Sequence, residues 1–548
     1  MSEGSKNIRT TWSPRSPTRA ILALIGVTSL IRLAFAWATG LGVDESYMVA
    51  AGRVLSGGYF DHPPAAWWLS WGASHLFASE APVAVRLPFI LLFALSTWLM
   101  VRLGSAVADE RAGFWAAVLL NLSPVFGVTG GTWVLPDGPL LCALLGAALC
   151  LVHATGSSPS PSWSGLTRPP PETRAPLSVP HLPEAGGSGP TMAGGNVGWW
   201  FGAGLCAGLA LSAKYSAALT IGGAFLFLLC DRRQRHWLAR PQPYVAAAIA
   251  ALVFSPVIIW NATHGWASFA FQGERAVGLR FHPFAPVMTL LGEGLFVLPW
   301  IWAPLLVVWV RALRAPDVMM RVQRPVARNS GPMALERLLA FLAAPPIVVF
   351  ALISAWSSQR ILFHWAAPGY LMLFPLLGRE VAAHLHLRWV RRTIAGTAAF
   401  VLAIVTIIGI QTRFDVVGDR LSAVMRKDPT IEGIDWASLR ADLTERGLLR
   451  PGTIVGVANW RDGGKIAYAL GPDAIVLCLN ADARQFGFAN PPAQHIGQDV
   501  LLIGLSPVAG PFERIEPLPP ATIRHRGRIL AAVSVAIGHH LNAWPPPK

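Results

Sequence analysis

Apolar runs of about twenty residues, the length that crosses the hydrocarbon core of a bilayer, recur along the first three quarters of the chain. Eleven are placed at 20–38, 82–102, 112–130, 136–154, 196–212, 216–230, 243–261, 285–310, 336–354, 364–379 and 393–411, each expected to be a membrane-crossing helix. Between the first two runs, Glu45–Ser56 and Ala65–Phe77 are predicted as short helices. Trp67, Trp68 and Trp71 in the second favour the headgroup level, so both helices are expected to lie flat on the outer surface. After Gln411 the chain becomes more polar and mixed. A helix-like stretch, Asp435–Arg446, accompanies β-like runs at Thr453–Ala458, Ala474–Cys478 and Val500–Ile503. The apolar run Ile529–Ile537 is too short to span and is assigned to the same part of the chain. The expected fold is an all-α polytopic membrane protein with about eleven transmembrane helices, surface helices in the first outer loop, and a small C-terminal α/β domain. Its expected divisions are a disordered cytoplasmic tail (1–19), a membrane domain (20–411) with a flexible Pro-, Ser- and Gly-rich cytoplasmic loop (157–196), and a C-terminal domain (412–548) facing outward.

Composition supports lipid as the solvent. Hydrophobic residues make up 53% of the 548 and charged residues 13%, with a mean hydropathy of +0.47. The net charge of +15 invites a nucleic-acid reading, but the cations sit in short clusters between apolar runs. These are Arg232, Arg233, Arg235 and Arg240; Arg311, Arg314, Arg321, Arg324 and Arg328; and Arg388, Arg391 and Arg392. Such clusters mark cytoplasmic loops, whereas a nucleic-acid site needs a basic face on a soluble domain. Four of the five cysteines (Cys142, Cys150, Cys206 and Cys230) lie in apolar runs without metal-ligand spacing. The first run is too long for a signal-peptide core and lacks a small-residue cleavage pattern, so it is read as a retained span.

Counting eleven spans puts every Arg cluster on the side of the N-terminus. The opposite side carries only isolated cations, among them Arg53, Lys214, Arg275, Arg280 and Arg360. Isolated charge on a cation-poor face needs a reason, and binding an anion is one. The polar residues at span ends on that face include Asp44, Glu45, Asp61, His62, Asp137, Lys214, Tyr215, Gln272, Arg275, Arg360 and His364.

Asp44 can cap the helix that follows it. A cap explains neither the second carboxylate at Glu45 nor the nearby His62-Pro-Pro64, whose prolines stiffen the loop. A carboxylate at a water–lipid boundary can serve as general base while its neighbour orients it or helps bind a divalent ion. Asp137 can likewise cap its helix. Lys214 can snorkel to the interface, or hold a phosphate as a point charge. Arg275 and Arg360 read as phosphate ligands or rim ion pairs. His62, Tyr215 and His364 form a second tier. No cofactor beyond a possible divalent metal ion is implied. Gly202-Ala-Gly-Leu-Cys-Ala-Gly208 reads as a helix-packing stripe rather than a phosphate cradle.

Taken in order, Asp44-Glu-Ser-Tyr47, Gly58-Tyr-Phe-Asp-His-Pro-Pro64, Arg86-Leu-Pro88, Leu135-Pro-Asp-Gly-Pro139, Leu211-Ser-Ala-Lys-Tyr-Ser216, Pro256-Val-Ile-Ile-Trp-Asn261 and His364-Trp-Ala-Ala-Pro-Gly-Tyr370 resemble glycosyltransferase family 39. This is the dolichyl-phosphate-mannose protein mannosyltransferase-like superfamily, which includes the bacterial lipid A aminoarabinose transferase; the resemblance covers roughly residues 20–410. It implies a GT-C type fold and an inverting transfer of one sugar from a polyprenyl-phosphate donor to a lipid or cell-envelope glycan acceptor. The active site would be periplasmic, in a multi-pass protein of the inner membrane. The family's catalytic base maps onto Asp44, with Glu45 beside it, and its second acidic position onto Asp137. The donor phosphate falls to Lys214, Arg275 or Arg360. The rival reading is a transporter or flippase for a lipid-linked anionic sugar, which would place charge at mid-bilayer or show paired broken helices in repeated halves.

Overall fold

The computed structural model describes residues 17–156, 194–274, 280–314, 332–357, 361–420 and 428–544. The expected tail up to Ser16, most of the 157–196 loop, and both Arg275 and Arg360 lie outside the described residues.

The helices of the first part are α1 (Pro17–Ala38), α2 (Val43–Ala51), α3 (Ala65–Leu76), α4 (Pro82–Val107), α5 (Glu110–Leu122), α6 (Asp137–Thr155), α7 (Gly194–Ala213), α8 (Ala217–Cys230), α9 (Gln242–Thr263), α10 (Ala267–Glu274), α11 (Ala285–Val297), α12 (Pro299–Arg314), α13 (Pro332–Ile353), α14 (Ala367–Leu371), α15 (Phe374–His384) and α16 (Arg388–Phe414). Every expected span is therefore helical, but not every one is a single crossing. Among the described residues six helices (α1, α4, α6, α9, α13 and α16) are long and apolar enough to cross a membrane unaided. The expected span 285–310 is broken: α11 and α12 meet at 116°. Leu298 adopts φ 83, and Pro299 follows it, a residue that disfavours helix in its predecessor and lacks a donor N–H. The expected span 364–379 is split into α14 and α15, and 112–130 passes from α5 into a π-helical turn, Val125–Gly130. That turn frees the Gly127 carbonyl, which accepts from Nε of the buried Arg32 at 3.0 Å. Exposed apolar side chains along α1 (Leu22, Leu30) and α16 (Leu402, Ile407) fit a lipid-facing rim. The glycine stripe of α7 packs on α9, as its spacing predicts. A Cβ on Gly208 would stand 2.6 Å from Cβ of Val253.

The C-terminal part carries a five-stranded sheet in the order β2 (Ile475–Cys478), β1 (Ile454–Val457), β3 (Val500–Gly504), β5 (Arg528–Leu541), β4 (Phe512–His525). The first three strands run parallel, and β5 is antiparallel to both β3 and β4. The run Ile529–Ile537 lies within β5. The helix Trp460–Leu470 covers one face of the sheet and packs directly on α2. One hydrophobic core joins Tyr47, Met48 and Trp67 to Val455, Ile466 and Phe486. The expectation that α2 lies flat on a membrane surface is thus corrected: seven of its nine residues, from Glu45 to Ala51, are buried, because the C-terminal helix takes the place that solvent or headgroups would hold. Contact is close enough that a Cβ on Gly464 would sit 2.7 Å from Cβ of Tyr47. Lys465, fully buried, fastens the join by donating to the carbonyls of Leu41 (2.7 Å) and Ile434 (2.6 Å).

Candidate active site

A cavity of about 520 Å³ opens where α2, the Asp61–His62 loop, the start of α6, the α7–α8 junction and the C-terminal part meet. Asp44, Asp61, His62, Asp137, Lys214, Tyr215 and His364 all line it. So do Leu219, Val349, Phe350, Ile353, Ile361 and Leu362, which make one wall apolar. The helix Trp460–Leu470 and the turn before Phe486 add Trp460, Arg461 and Arg484 to the lining.

The adjacent carboxylates at 44 and 45 have opposite fates. Asp44 is the one exposed side chain of α2 and opens into the cavity. Gly42, not Asp44, stands at the N-cap position, so the capping expectation for Asp44 is corrected. Although its surface is open to the cavity, the protein crowded around it strips away part of its hydration and pushes its carboxyl above the ordinary value, opposed by Arg461 and reinforced by Asp61. Glu45 turns away and is wholly buried against Arg86, which donates from Nε (2.8 Å) and Nη2 (2.6 Å). The backbone N–H groups of Gly42 (2.9 Å) and Val134 (3.0 Å) donate to the same carboxylate. Burial works against ionisation of Glu45, but these four donors outweigh it and hold the carboxyl below its ordinary value. Glu45 does not line the cavity. The expectation that it joins Asp44 in the chemistry or on a divalent ion is corrected, since its lone pairs already meet Arg86 and two amides.

Asp137, the first residue of α6, accepts from Lys214 Nζ at 3.0 Å, and both side chains are about nine-tenths covered. Lys214 is thus an ion-paired lysine rather than a bare point charge, with two N–H bonds left to give. His62 lies in the field of Asp61, Lys214, Asp137 and Arg484, and burial pushes its imidazole down to about 4, so it is neutral near pH 7. Tyr215 hydrogen-bonds Ser268 (2.6 Å).

Asp61 is held on three sides. Tyr47 OH donates to Oδ1 (3.1 Å), Arg484 pairs with Oδ2 (3.3 Å), and Gln272 Nε2 donates to the backbone carbonyl (2.7 Å). Arg484 also pairs with Asp482 (3.1 Å) and stacks on Trp460 (4.3 Å) and Phe271 (4.9 Å). Tyr47, Trp460, Arg461 and Arg484 were not reached from the sequence. The adjacent aromatic and basic residues Trp460-Arg461 were a usable signal, but nothing local tied them to a loop four hundred residues earlier. Among the described residues no group of three or more His, Cys, Asp or Glu is arranged to hold a metal ion.

The sequence model of the dolichyl-phosphate-mannose-protein mannosyltransferase family matches residues 61–167 and 191–260. No curated protein matches the chain in a sequence search. Among solved structures, ArnT from Cupriavidus metallidurans in the apo state is similar at 13% identity and a TM-score of 0.56, covering 95% of this chain and 98% of that one. The same protein bound to undecaprenyl phosphate gives 12% identity and a TM-score of 0.55 over the same shares. The archaeal oligosaccharyltransferase AglB from Archaeoglobus fulgidus gives 13% identity and a TM-score of 0.45, covering 83% of this chain and 64% of that one. The likeness to ArnT runs the length of both chains and includes the C-terminal sheet region as well as the helices. The fold is similar to that of ArnT, and at these identities the likeness speaks for the fold alone. The family match covers less than half of the chain and agrees there with the motifs of the sequence.

Proposed function

We propose that this protein moves a single sugar from a polyprenyl-phosphate donor to a lipid or cell-envelope glycan acceptor, with inversion, on the periplasmic side of the inner membrane. The observation that carries the reading is one cavity lined by three kinds of group: a carboxylate at Asp44, a Lys214–Asp137 pair, and apolar side chains of α13 and residues 361–362. A lipid-linked sugar phosphate has the matching parts. Its first isoprene units lie on the apolar face, its phosphate reaches the free N–H bonds of Lys214, and its sugar fills the space toward Asp44.

In the displacement, Asp44 takes the proton of the acceptor oxygen as that oxygen bonds to the anomeric carbon. The bond from that carbon to the phosphate oxygen breaks on the opposite side. Negative charge growing on the phosphate is met by Lys214 in a partly dry site, where such contacts are strongest. Partial loss of hydration raises the affinity of Asp44 for a proton, which improves it as a base while leaving it ionisable through Arg461 and Arg484. Asp137 orients Lys214, and the neutral His62 serves as a hydrogen-bond partner for the sugar. Arg275 and Arg360 remain candidates for the phosphate by sequence alone. The carrier reading asks for broken helices in matching halves; α11–α12 is the one strongly bent pair among the described residues, and the cavity charges gather at one end of the bundle.

The test is purified protein in lipid nanodiscs supplied with radiolabelled polyprenyl-phosphate sugar and a cell-envelope lipid extract. Asp44→Asn should lower transfer by about 10²- to 10⁴-fold, the usual contribution of a general base, and still bind undecaprenyl phosphate. Wild-type turnover by the variant would remove Asp44 from the chemistry.

A further inference from the structure

Glu293 is the one acidic residue of the apolar run 285–310, and it does not line the cavity. It lies on α11, the arm that meets α12 at 116°, and is 1% exposed. An ionisable side chain inside an apolar span is costly and calls for a use. Tyr370 of α14 meets Oε2 of Glu293 at 2.7 Å, and Nε1 of Trp302 on α12 meets the Tyr370 oxygen at 2.9 Å. An indole N–H only donates, so the phenol accepts from Trp302 and gives its own proton to Glu293. Among the described residues the other oxygen, Oε1, is buried and has no hydrogen-bond partner. Tyr370 is the group that this carboxyl holds.

The residues on either side of Glu293 seat the same part of the chain. The ring of Phe363 occupies the space where a Cβ of Gly292 would go, and a Cβ on Gly294 would stand 2.9 Å from the ring of Trp302. Three consecutive residues, Gly292, Glu293 and Gly294, therefore receive Phe363, Tyr370 and Trp302. Ile361, Leu362, His364 and Trp365 line the cavity, and Phe363 among them packs on Gly292. Residues 361–366 belong to no helix or strand, so their order depends on side-chain contacts. Phe363 fixes this run from within, and Tyr370 fixes the short helix α14 into which it leads.

We infer that Glu293 is a positioning residue: by anchoring Tyr370 it keeps residues 361–365 where they line the cavity, and so sets the affinity for the lipid-linked donor. The inference rests on the donor reading above, in which the first isoprene units lie against Ile361 and Leu362. Glu293 serves as a hydrogen-bond acceptor and not as a charge, since the group that meets it is a neutral phenol. Without the anchor the run samples other positions, and the donor restores the binding-competent one as it binds. The apparent affinity then falls by the fraction of competent protein, up to the worth of the lost hydrogen bond, about 3- to 10-fold.

The experiment titrates full-length protein in nanodiscs with undecaprenyl phosphate and reads both the affinity and the number of binding sites. Glu293→Leu should weaken binding about 3- to 10-fold with the number of sites kept. Glu293→Gln, whose carbonyl still accepts from Tyr370, should restore the wild-type affinity. Tyr370→Phe keeps the ring and removes only the hydroxyl, so it carries the test where Glu293→Leu does not fold. It too should weaken binding, and the double variant should bind no more weakly than either single, because both cut one contact. A merely structural role would reduce the number of sites and leave the affinity of the remainder unchanged. That result, unchanged binding in Glu293→Leu and Tyr370→Phe, or a Glu293→Gln as weak as Glu293→Leu would overturn the assignment. Failure of wild type to bind undecaprenyl phosphate would instead sink the donor reading, a separate outcome.

Discussion

Replacing Glu45 by glutamine tests whether the second carboxylate of the motif serves structure or chemistry. Its side chain and that of Arg86 are 4% and 1% exposed, so water screens little of their attraction. Removing one partner of such a buried pair costs about 3 to 5 kcal/mol, because the other charge is left uncompensated. In Glu45→Gln the shape is kept, and Arg86 retains the carbonyls of Thr39 (3.1 Å) and Gly40 (2.7 Å) and the Thr39 hydroxyl (2.9 Å). The loss should therefore fall near the lower end, about 3 kcal/mol. Arg86→Met is harsher, since it leaves the carboxylate with only the amides of Gly42 and Val134, and about 5 kcal/mol is expected. The double variant should be milder than the sum of the singles, because no orphaned charge remains.

Thermal unfolding of the purified protein in detergent, followed for the three variants, measures this. The acid side carries its own signature. The folded-state carboxyl of Glu45 lies below the ordinary value of 4.5, so its stabilisation is complete above that value and disappears as pH falls through the lowered one. Glu45→Gln should flatten this acid-side slope. A variant with wild-type stability and no turnover would refute the reasoning and return Glu45 to the chemistry.

Three further outcomes are expected. Because Asp44 must be ionised to accept a proton and partial loss of hydration raises its carboxyl, turnover should fall on the acid side through a pH above the ordinary carboxylate range. His62→Gln should leave that limb in place, since the imidazole titrates near 4; a limb abolished by this change would belong to the histidine. Tyr47→Phe leaves the Gln485 amide without the oxygen it meets at 2.9 Å and should cost about 1 to 3 kcal/mol in thermal unfolding, an unchanged midpoint contradicting it. Gly464→Ala puts a methyl 2.7 Å from Tyr47 Cβ and should cost about 1 to 3 kcal/mol as overpacking, read as faster tryptic release of the C-terminal part, whereas wild-type protease resistance would speak against direct packing on α2.

Much of the site was legible because charge is scarce in this chain. Asp44, His62, Asp137, Lys214 and His364 stood out as polar residues at the ends of apolar runs, and all five line the cavity. Separating Asp44 from Glu45 was also within reach of sequence reasoning. Neighbours on a helix point about 100° apart, so two consecutive carboxylates do not share one face. The broken span was harder. Pro256, Pro299 and Pro304 all fall inside apolar runs, but only Pro299 follows a residue forced to positive φ, while α9 and α12 carry theirs without a break. Packing by Phe363 around Gly292 and by Trp302 around Gly294 accompanies that choice, and a partner as distant as Phe363 leaves no local trace. Arg461 and Arg484 were hidden for the same reason.

The position of Asp44 follows from this long-range contact. A nine-residue helix is too short to hold itself in water, and α2 lacks a side-chain cap. Its order comes from Tyr47 against Gly464 and Phe486, from Lys465 on the Leu41 carbonyl, and from Glu45 on Arg86. Two of these three anchors belong to the C-terminal part. Asp44 is thus held in place by the same domain that presents Arg461 to the cavity, so both side chains are set by one docking surface. A substitution in the C-terminal helix must therefore preserve the packing at Tyr47, or Asp44 loses its position in the cavity.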